Sequence, residues 1–309
     1  MCGIIGILGK HEAAPIIVEA LKRLEYRGYD SSGIATVKDD GSIDRRRAVG
    51  KLLELQDKLV FEPLKGKAGI GHTRWATHGE PNEKNAHPHT RGAVSVVHNG
   101  IIENFLTLRE ELKCDGYKAE TDTDSETIAI LCSKFIDEGH EPLVAARKTL
   151  SKLTGSFAIA MLFEGHKDLI FAARSGSPLA VGYGKNEMYL GSDALALLPL
   201  TKKVAYLEEG DHAVLTREGA EIYDRKGSSV SRQITYLNQS INFHDKSGFS
   251  HFMEKEIHEQ PIALERAISS YIIDSTDKPT FNLLNNINFN EVSRIILVAC
   301  GTAYYACYV

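Results

Sequence analysis

The chain has 309 residues, 43% of them hydrophobic and 25% charged, the composition of an ordinary globular protein long enough for one large domain or two smaller ones. Its net charge of −5 is mild and argues against a nucleic acid or a membrane surface as the main partner. Five cysteines, an odd number without CxxC pairs or regular spacing, argue against a disulfide framework or a zinc site and for a reducing, cytoplasmic compartment. No apolar run approaches the roughly 20 residues that span a bilayer, and the N-terminal MCGIIGILGK lacks the basic region of a signal peptide.

In chain order, GIIGIL (3–8) is an apolar run bounded by Gly9, the pattern of a buried strand. A helix is expected over 15–28, with Pro15 in its first turn, Gly28 at its exit and Ile16, Ile17, Ala20, Leu21 and Leu24 on one face. Residues 32–47 read as a hairpin turning at Asp40-Gly41. Strands are expected at 67–75 and 92–100, joined by a polar loop over 75–92 that holds His78, His87 and His89. Loops of that length in compact domains are usually functional. Helical patterns follow at 104–113, 124–139 and 142–153, then closely spaced strands from SFAIAMLF (156–163) to DHAVLT (211–216). Strands, then helices, then strands with hairpin-length gaps predict an α+β fold of antiparallel sheets covered by helices rather than a doubly wound parallel sheet. The expected division is a domain over 2–225, a linker and helical arm over 226–292, and at 293–309 an apolar strand entering a glycine turn, the truncated start of an α/β unit.

Cys2 is the first candidate for chemistry. Removal of Met1 would leave a free α-amine of pKa about 8 on the residue that bears the thiol, so one residue would supply nucleophile and base. Taken alone, a cysteine at position 2 has no catalytic meaning. Arg74, at a strand end, offers the planar fork that grips a carboxylate. Asn99 and Gly100 pair an amide donor with an unobstructed backbone N–H, which suits an oxyanion, though Asn-Gly taken alone reads first as a turn. A metal is not expected at His72, His78, His87 and His89, which lack a helical i, i+4 pair and nearby cysteine ligands. In DTDSE (122–126) Asp122 reads as a helix cap, while Asp124 could hold a substrate ammonium.

Together the segments MCGIIG, RLEYRGYDSSGIA (23–35), GIGHTRWATHGEPNEKNAHPH (69–89), VVHNGIIENF (96–105), TDTDSETIA (121–129), AARSGSPL (172–179), LEEGD (207–211) and MEKEIHEQP (253–261) resemble the glutamine–fructose-6-phosphate aminotransferase (glucosamine-6-phosphate synthase) family. The resemblance implies a class II glutamine amidotransferase domain with the four-layer αββα sandwich of the N-terminal-nucleophile hydrolases. It implies Cys2 as nucleophile, Asn99 and Gly100 as oxyanion hole, and Arg74 and Asp124 on the α-carboxylate and α-ammonium of L-glutamine. Thr77 and His78 would contact substrate, Trp75 would belong to a loop closing over it, and Arg27 and His87 would support the site. No cofactor is implied. Full-length relatives carry sugar-isomerase domains to which ammonia passes for reaction with fructose 6-phosphate, and a homo-oligomer is expected for them. The family's turn CGTSYHA reads CGTAYYA here (300–306), with Ala303 in the place of a serine near the sugar phosphate. Other amidotransferases that open with MCGI share Cys2 and Asn-Gly but not the GHTRWATHG loop, and a non-catalytic domain of the same fold would be expected to lack Cys2, Arg74, Asn99 or Asp124.

Overall fold

In a computed structural model of the chain, the run GIIGIL forms an inner strand, β1 (Gly3–Leu8), of an eight-stranded sheet. The structure describes residues 2–25, 28–76, 79–237, 248–271, 288–299 and 301–308, the side chains of 252, 266–271, 289 and 301–303 excepted. The chain divides into two units, 1–241 and 242–309.

The remaining strands of the first unit are β2 (Ser31–Val37), β3 (Ile43–Val49), β4 (Ala68–Arg74), β5 (His89–Arg91), β6 (Val94–Ile102), β7 (Gly155–Phe163), β8 (Ile170–Ser175), β9 (Ala180–Tyr183), β10 (Met188–Gly191), β11 (Lys203–Tyr206), β12 (His212–Thr216), β13 (Gly219–Tyr223), β14 (Ser229–Val230) and β15 (Ile234–Tyr236). Its helices are α1 (Ala13–Lys22), α2 (Leu52–Phe61), α3 (Phe105–Cys114), α4 (Asp124–Asp137), α5 (Pro142–Lys152) and α6 (Ala194–Leu197). One sheet runs β15-β11-β9-β10-β1-β4-β2-β3 and the other β14-β13-β12-β8-β7-β6-β5. Every pairing is antiparallel.

Alternation along β1 explains why it is apolar on both sides. Ile4 and Leu8 enter a core with Val97, Ala160 and Leu162 of the other sheet, while Ile5 and Ile7 pack with Ile17 and Leu21 of α1. A third core sets Val96, Ile159 and Phe171 against Ile128 and Ala129 of α4 and Ala145 of α5. The layers are therefore helix, sheet, sheet, helix, the α+β sandwich expected. Among the described residues, no helix is long and apolar enough to cross a membrane.

Several expectations shift. Helix α1 starts at Ala13, which packs over Gly69 of β4, and ends at Lys22, though Leu24 beyond its end is still buried. Part of the expected 75–92 loop is β5, a polar edge strand whose Thr90 Oγ1 meets Ser95 Oγ across the hairpin at 2.9 Å. The sheets continue through β14 and β15, beyond Arg225 where a linker is expected.

In the second unit, the expected arm is α7 (Phe252–Tyr271), followed by a 3-10 turn at Phe289–Glu291 and α8 (Gly301–Ala306). The apolar stretch 293–299 is not the strand expected: it has no regular secondary structure, and Ile295, Ile296, Leu297 and Val298 are exposed. A strand needs a neighbour for its N–H and C=O groups, and among the described residues of this unit none is extended beside it. Cys300 and the side chain of Ala303 lie outside the described residues.

Gly71 sets how closely α1 approaches the sheet, since a Cβ there would stand 2.2 Å from Ile17 Cγ2. Gly71→Val should destabilise the chain by about 1–3 kcal/mol in urea unfolding, the usual range for overpacking. Gly219→Ala, where a Cβ meets nothing within 4 Å, should change stability by less than about 0.5 kcal/mol. Equal midpoints for the two variants would show that α1 does not depend on this contact.

Candidate active site

The ends of β1, β4 and β6 and the start of α4 meet at a cleft of about 300 Å³. Cys2, Arg74, Trp75, His87, Asn99, Gly100 and Asp124 all line it, although up to 122 positions of chain separate them. Thr77, His78 and Arg27 lie outside the described residues.

Cys2 precedes β1 and rests on the turn that leaves β4. The Trp75 N–H donates to Cys2 Sγ at 3.2 Å, and Sγ lies 3.5 Å from the Trp75 carbonyl oxygen. Burial raises the thiol pKa, and the Trp75 N–H and the Arg74 charge oppose that only in part. Trp75 is 45% exposed and meets the Tyr29 ring edge-on, with centroids 5.7 Å apart. Buried Arg74 is anchored by the carbonyl oxygens of Gly79 and Glu80, at 3.1 and 3.2 Å.

Asn99 comes from the other sheet. Its Nδ2 donates to the Cys2 carbonyl oxygen at 3.1 Å, and its Oδ1 lies 2.9 Å from His72 Nε2. His72 Nε2 is also 3.0 Å from the His98 carbonyl oxygen. Both neighbours are acceptors, so Nε2 carries the hydrogen, which in turn fixes the Asn99 amide with its NH₂ end toward Cys2. Gly100 has φ +122°, and a Cβ there would stand 1.9 Å from the Ser156 carbonyl oxygen, so no other residue fits.

Asp124 Oδ2 accepts the Ile102 N–H at 2.8 Å, and Ser125 Oγ donates to Asp124 Oδ1 at 3.3 Å. Ser125 Oγ is also 2.8 Å from His98 Nδ1. Asp122 does not cap α4: Thr123 holds the cap position, its side chain bonding His89 Nε2 at 3.0 Å rather than the helix N–H groups, and Asp122 accepts from Asn85 Nδ2 at 3.3 Å. Asn85 Oδ1 accepts the Asp122 N–H in return, at 3.1 Å, so the pair closes on itself and draws the carboxylate away from the helix.

Sequence reasoning passed over His72 as an orienting group, together with His98, Ser125, Ser177 and Pro178, of which the last four line the cleft. HNG, TDTDSE and RSGSP, among the segments quoted for the family resemblance, were the available signals. The histidines form a buried stack, His72 on His87 with centroids 4.1 Å apart and His87 against His89 at 4.6 Å. Neither ring nitrogen of His87 has a hydrogen-bond partner among the described residues.

Residues 72–199 match a family model described as a glutamine amidotransferase domain. The structure is similar to that of glutamine phosphoribosylpyrophosphate amidotransferase from B. subtilis complexed with ADP and GMP, with a TM-score of 0.63 and 25% identity, covering 72% of this chain and 49% of that one. An allosteric regulatory enzyme of purine biosynthesis gives a TM-score of 0.62 at 26% identity, over the same shares of the two chains. The fold is thus that of the class II glutamine amidotransferases, the N-terminal-nucleophile type. Within that class the chain is a homologue of the glutamine–fructose-6-phosphate aminotransferases (isomerizing). It is 52% identical over 306 residues to that of Brucella suis biovar 1 and 50% identical over 308 residues to that of Mesorhizobium japonicum, in each case over 99% of this chain and 50% of the relative. The chain spans about half the length of these curated relatives.

Burial lowers the pKa of His72 to about 3 and holds His87 and His89 well below the ordinary histidine value. Unfolded, each would bind a proton as pH falls through about 6.5, whereas folded they stay neutral. Their stabilising contribution is therefore complete above about pH 6.5 and lost as pH falls. Between pH 7 and pH 5.5 the three together should cost on the order of 3–4 kcal/mol, measured by urea unfolding. A midpoint that stays flat across that range would contradict the neutral, buried stack.

Proposed function

We propose that this chain hydrolyses L-glutamine to glutamate and ammonia at the Cys2 cleft. One observation carries the reading. A nucleophile (Cys2), an amide donor bonded to its carbonyl oxygen (Asn99), a guanidinium (Arg74) and a carboxylate (Asp124) converge on one cleft from separate strands and a helix.

With Met1 removed, the α-amine of Cys2 takes the thiol proton and Sγ attacks the side-chain amide carbon of glutamine. The carbonyl oxygen becomes an oxyanion facing Asn99 Nδ2, whose second hydrogen remains after the bond to the Cys2 carbonyl, and the Gly100 N–H. The protonated amine then gives its proton to the leaving nitrogen, the C–N bond breaks, and ammonia departs from a thioester. Water adds to the thioester with the amine again as base, releasing glutamate and restoring the thiol. Arg74 holds the α-carboxylate and Asp124 the α-ammonium, which places the side-chain amide at Sγ. Thr77 and His78 are proposed as substrate contacts and Trp75 as part of the loop over the substrate, with Arg27 and His87 as supports.

The relatives' name extends the proposal. In a protein of their length, ammonia made here would be used to aminate fructose 6-phosphate, in the cytoplasm. Residues 2–225 are proposed as the amidotransferase domain, 226–292 as the linker and arm, whose first strands, β14 and β15, are still paired into the sheets of that domain, and 293–309 as the beginning of the sugar-isomerase part.

Glutamate release from glutamine by the purified chain tests the activity directly. Cys2→Ser should lower it by orders of magnitude with little change in melting temperature, since a hydroxyl ionises far less readily than a thiol. Asn99→Ala should lower kcat by about 10²–10³, whereas Arg74→Lys should raise KM for glutamine more than it lowers kcat. Full activity in Cys2→Ala would overturn the assignment, and an effect of Asn99→Ala on KM alone would remove the oxyanion role.

A further inference from the structure

The segment Arg174–Pro178 divides its side chains between two cavities. Ser177 and Pro178 line the Cys2 cleft, while Arg174 and Ser175 line a second cavity of about 560 Å³. That size lies within the ~300–1,000 Å³ typical of small-molecule sites. Leu150, Leu153 and Phe157 give it an apolar wall.

Its charge is unbalanced. Arg147, Arg174, Arg225 and Lys226 line it, against Glu209 and Asp211. Asp211 is 1% exposed and already forms a two-pronged pair with Arg232, at 2.8 and 2.7 Å. Glu209 accepts the Gly176 N–H at 2.8 Å and the Ser175 hydroxyl at 3.1 Å, fastening the dividing segment to the turn between β11 and β12. Among the described residues, none of the four cations lies within ion-pair distance of a carboxylate.

The contacts these cations do make are neutral. Arg147 Nε donates to His212 Nε2 at 3.2 Å, and its guanidinium lies 4.7 Å from the centroid of the Tyr223 ring. Arg174 Nη1 donates to the Leu207 carbonyl oxygen, and its buried Nε has no hydrogen-bond partner among the described residues. Arg225 lies across Gly210, whose φ of +83° and missing Cβ leave room for it: a Cβ there would stand 2.9 Å from Arg225 Cβ. The LEEGD turn thus uses both its glycine and its carboxylates to shape this wall.

Four cations around one concavity, in a chain of net charge −5, concentrate anions there. Three of them are arginines, whose planar forks match phosphate oxygens. We propose that this cavity binds a small organic phosphate, its phosphoryl group held by Arg147, Arg174, Arg225 and Lys226 and its body against the Leu150–Phe157 wall. The site is separate from the glutamine cleft and does not depend on the reaction assigned there.

Isothermal titration calorimetry of the full chain, with adenosine 5′-triphosphate and inorganic phosphate as probes at fixed ionic strength, tests it. Saturable binding of the nucleotide is expected, with inorganic phosphate binding more weakly because it lacks a body for the apolar wall. The double variant Arg225→Ala/Lys226→Ala, both exposed positions outside the Cys2 cleft, should bind the nucleotide at least about tenfold more weakly while keeping the melting temperature of the parent. Arg147→Gln should weaken it independently. Equal affinity in parent and double variant, or no saturable binding of either probe to the parent, would overturn the proposal.

Discussion

The cleft end of this fold depends on a polar clasp between its two sheets. Asn99 of β6 donates to the Cys2 carbonyl beside β1 and accepts from His72 of β4, while His72 reaches the His98 carbonyl of β6 with the same nitrogen. The core between the sheets is made of apolar side chains, which resist separation but do not fix direction. The clasp is directional and buried. Deleting one member strands its partners, a loss of roughly 1–3 kcal/mol for each unsatisfied group. It also settles an orientation that shape alone leaves open, because the two ends of an amide are nearly the same size. A neutral His72 with its hydrogen on Nε2 accepts only one orientation of Asn99, and burial keeps His72 neutral.

The opposite wall is built by the acidic segment before and within α4, where three carboxylates do three jobs. Asp122 pairs with Asn85 and so holds the loop after Arg74. Asp124 takes the Ile102 N–H and ties the helix start to the end of β6. Glu126, 2% exposed, accepts the N–H groups of Glu120 and Thr121 and pairs with Arg91 of β5. Burial alone would raise the Glu126 pKa, yet those N–H groups and the Arg91 charge together leave it lowered. The segment is thus stapled from behind the helix rather than capped in front of it, which leaves Asp124 facing the cleft.

This division of labour marks how far the sequence could be read. Apolar runs and Asp-Gly or glycine breaks located most strands and hairpins of the first unit, because burial on one or both faces writes itself into local periodicity. Cys2, Arg74, Asn99 and Asp124 were legible as strand-end or helix-start residues, and the family resemblance joined them into one site. Strand β5 was not legible, since an edge strand reading HTR carries no apolar alternation. The stretch 293–299 shows the reverse, an apolar run read as a strand that has no strand beside it among the described residues of its unit. Asp122 looked like a cap because its true partner, Asn85, lies 37 positions away. His72, His98 and Ser125 escaped for the same reason: their bonds join residues 26 or 27 apart and depend on how the sheets stack, which no local pattern records.

Burial at the cleft also limits which group can serve as base in the proposed reaction. It raises the Cys2 thiol, so the neutral thiol predominates at neutral pH and must lose its proton to attack. The same burial takes His72 to about 3 and His87 well below the ordinary value, which makes both poor acceptors for a thiol proton. His98 has Nδ1 engaged by Ser125, and Asp124 is engaged by Ile102 and Ser125. An α-amine on Cys2 itself differs from all of these: its pKa of about 8 lies nearer the thiol than the lowered histidines do, and it sits on the same residue. The apolar surroundings that would stall a cysteine served by these histidines are therefore compatible with a cysteine that brings its own base, and they strengthen the Asn99 donor at the same time.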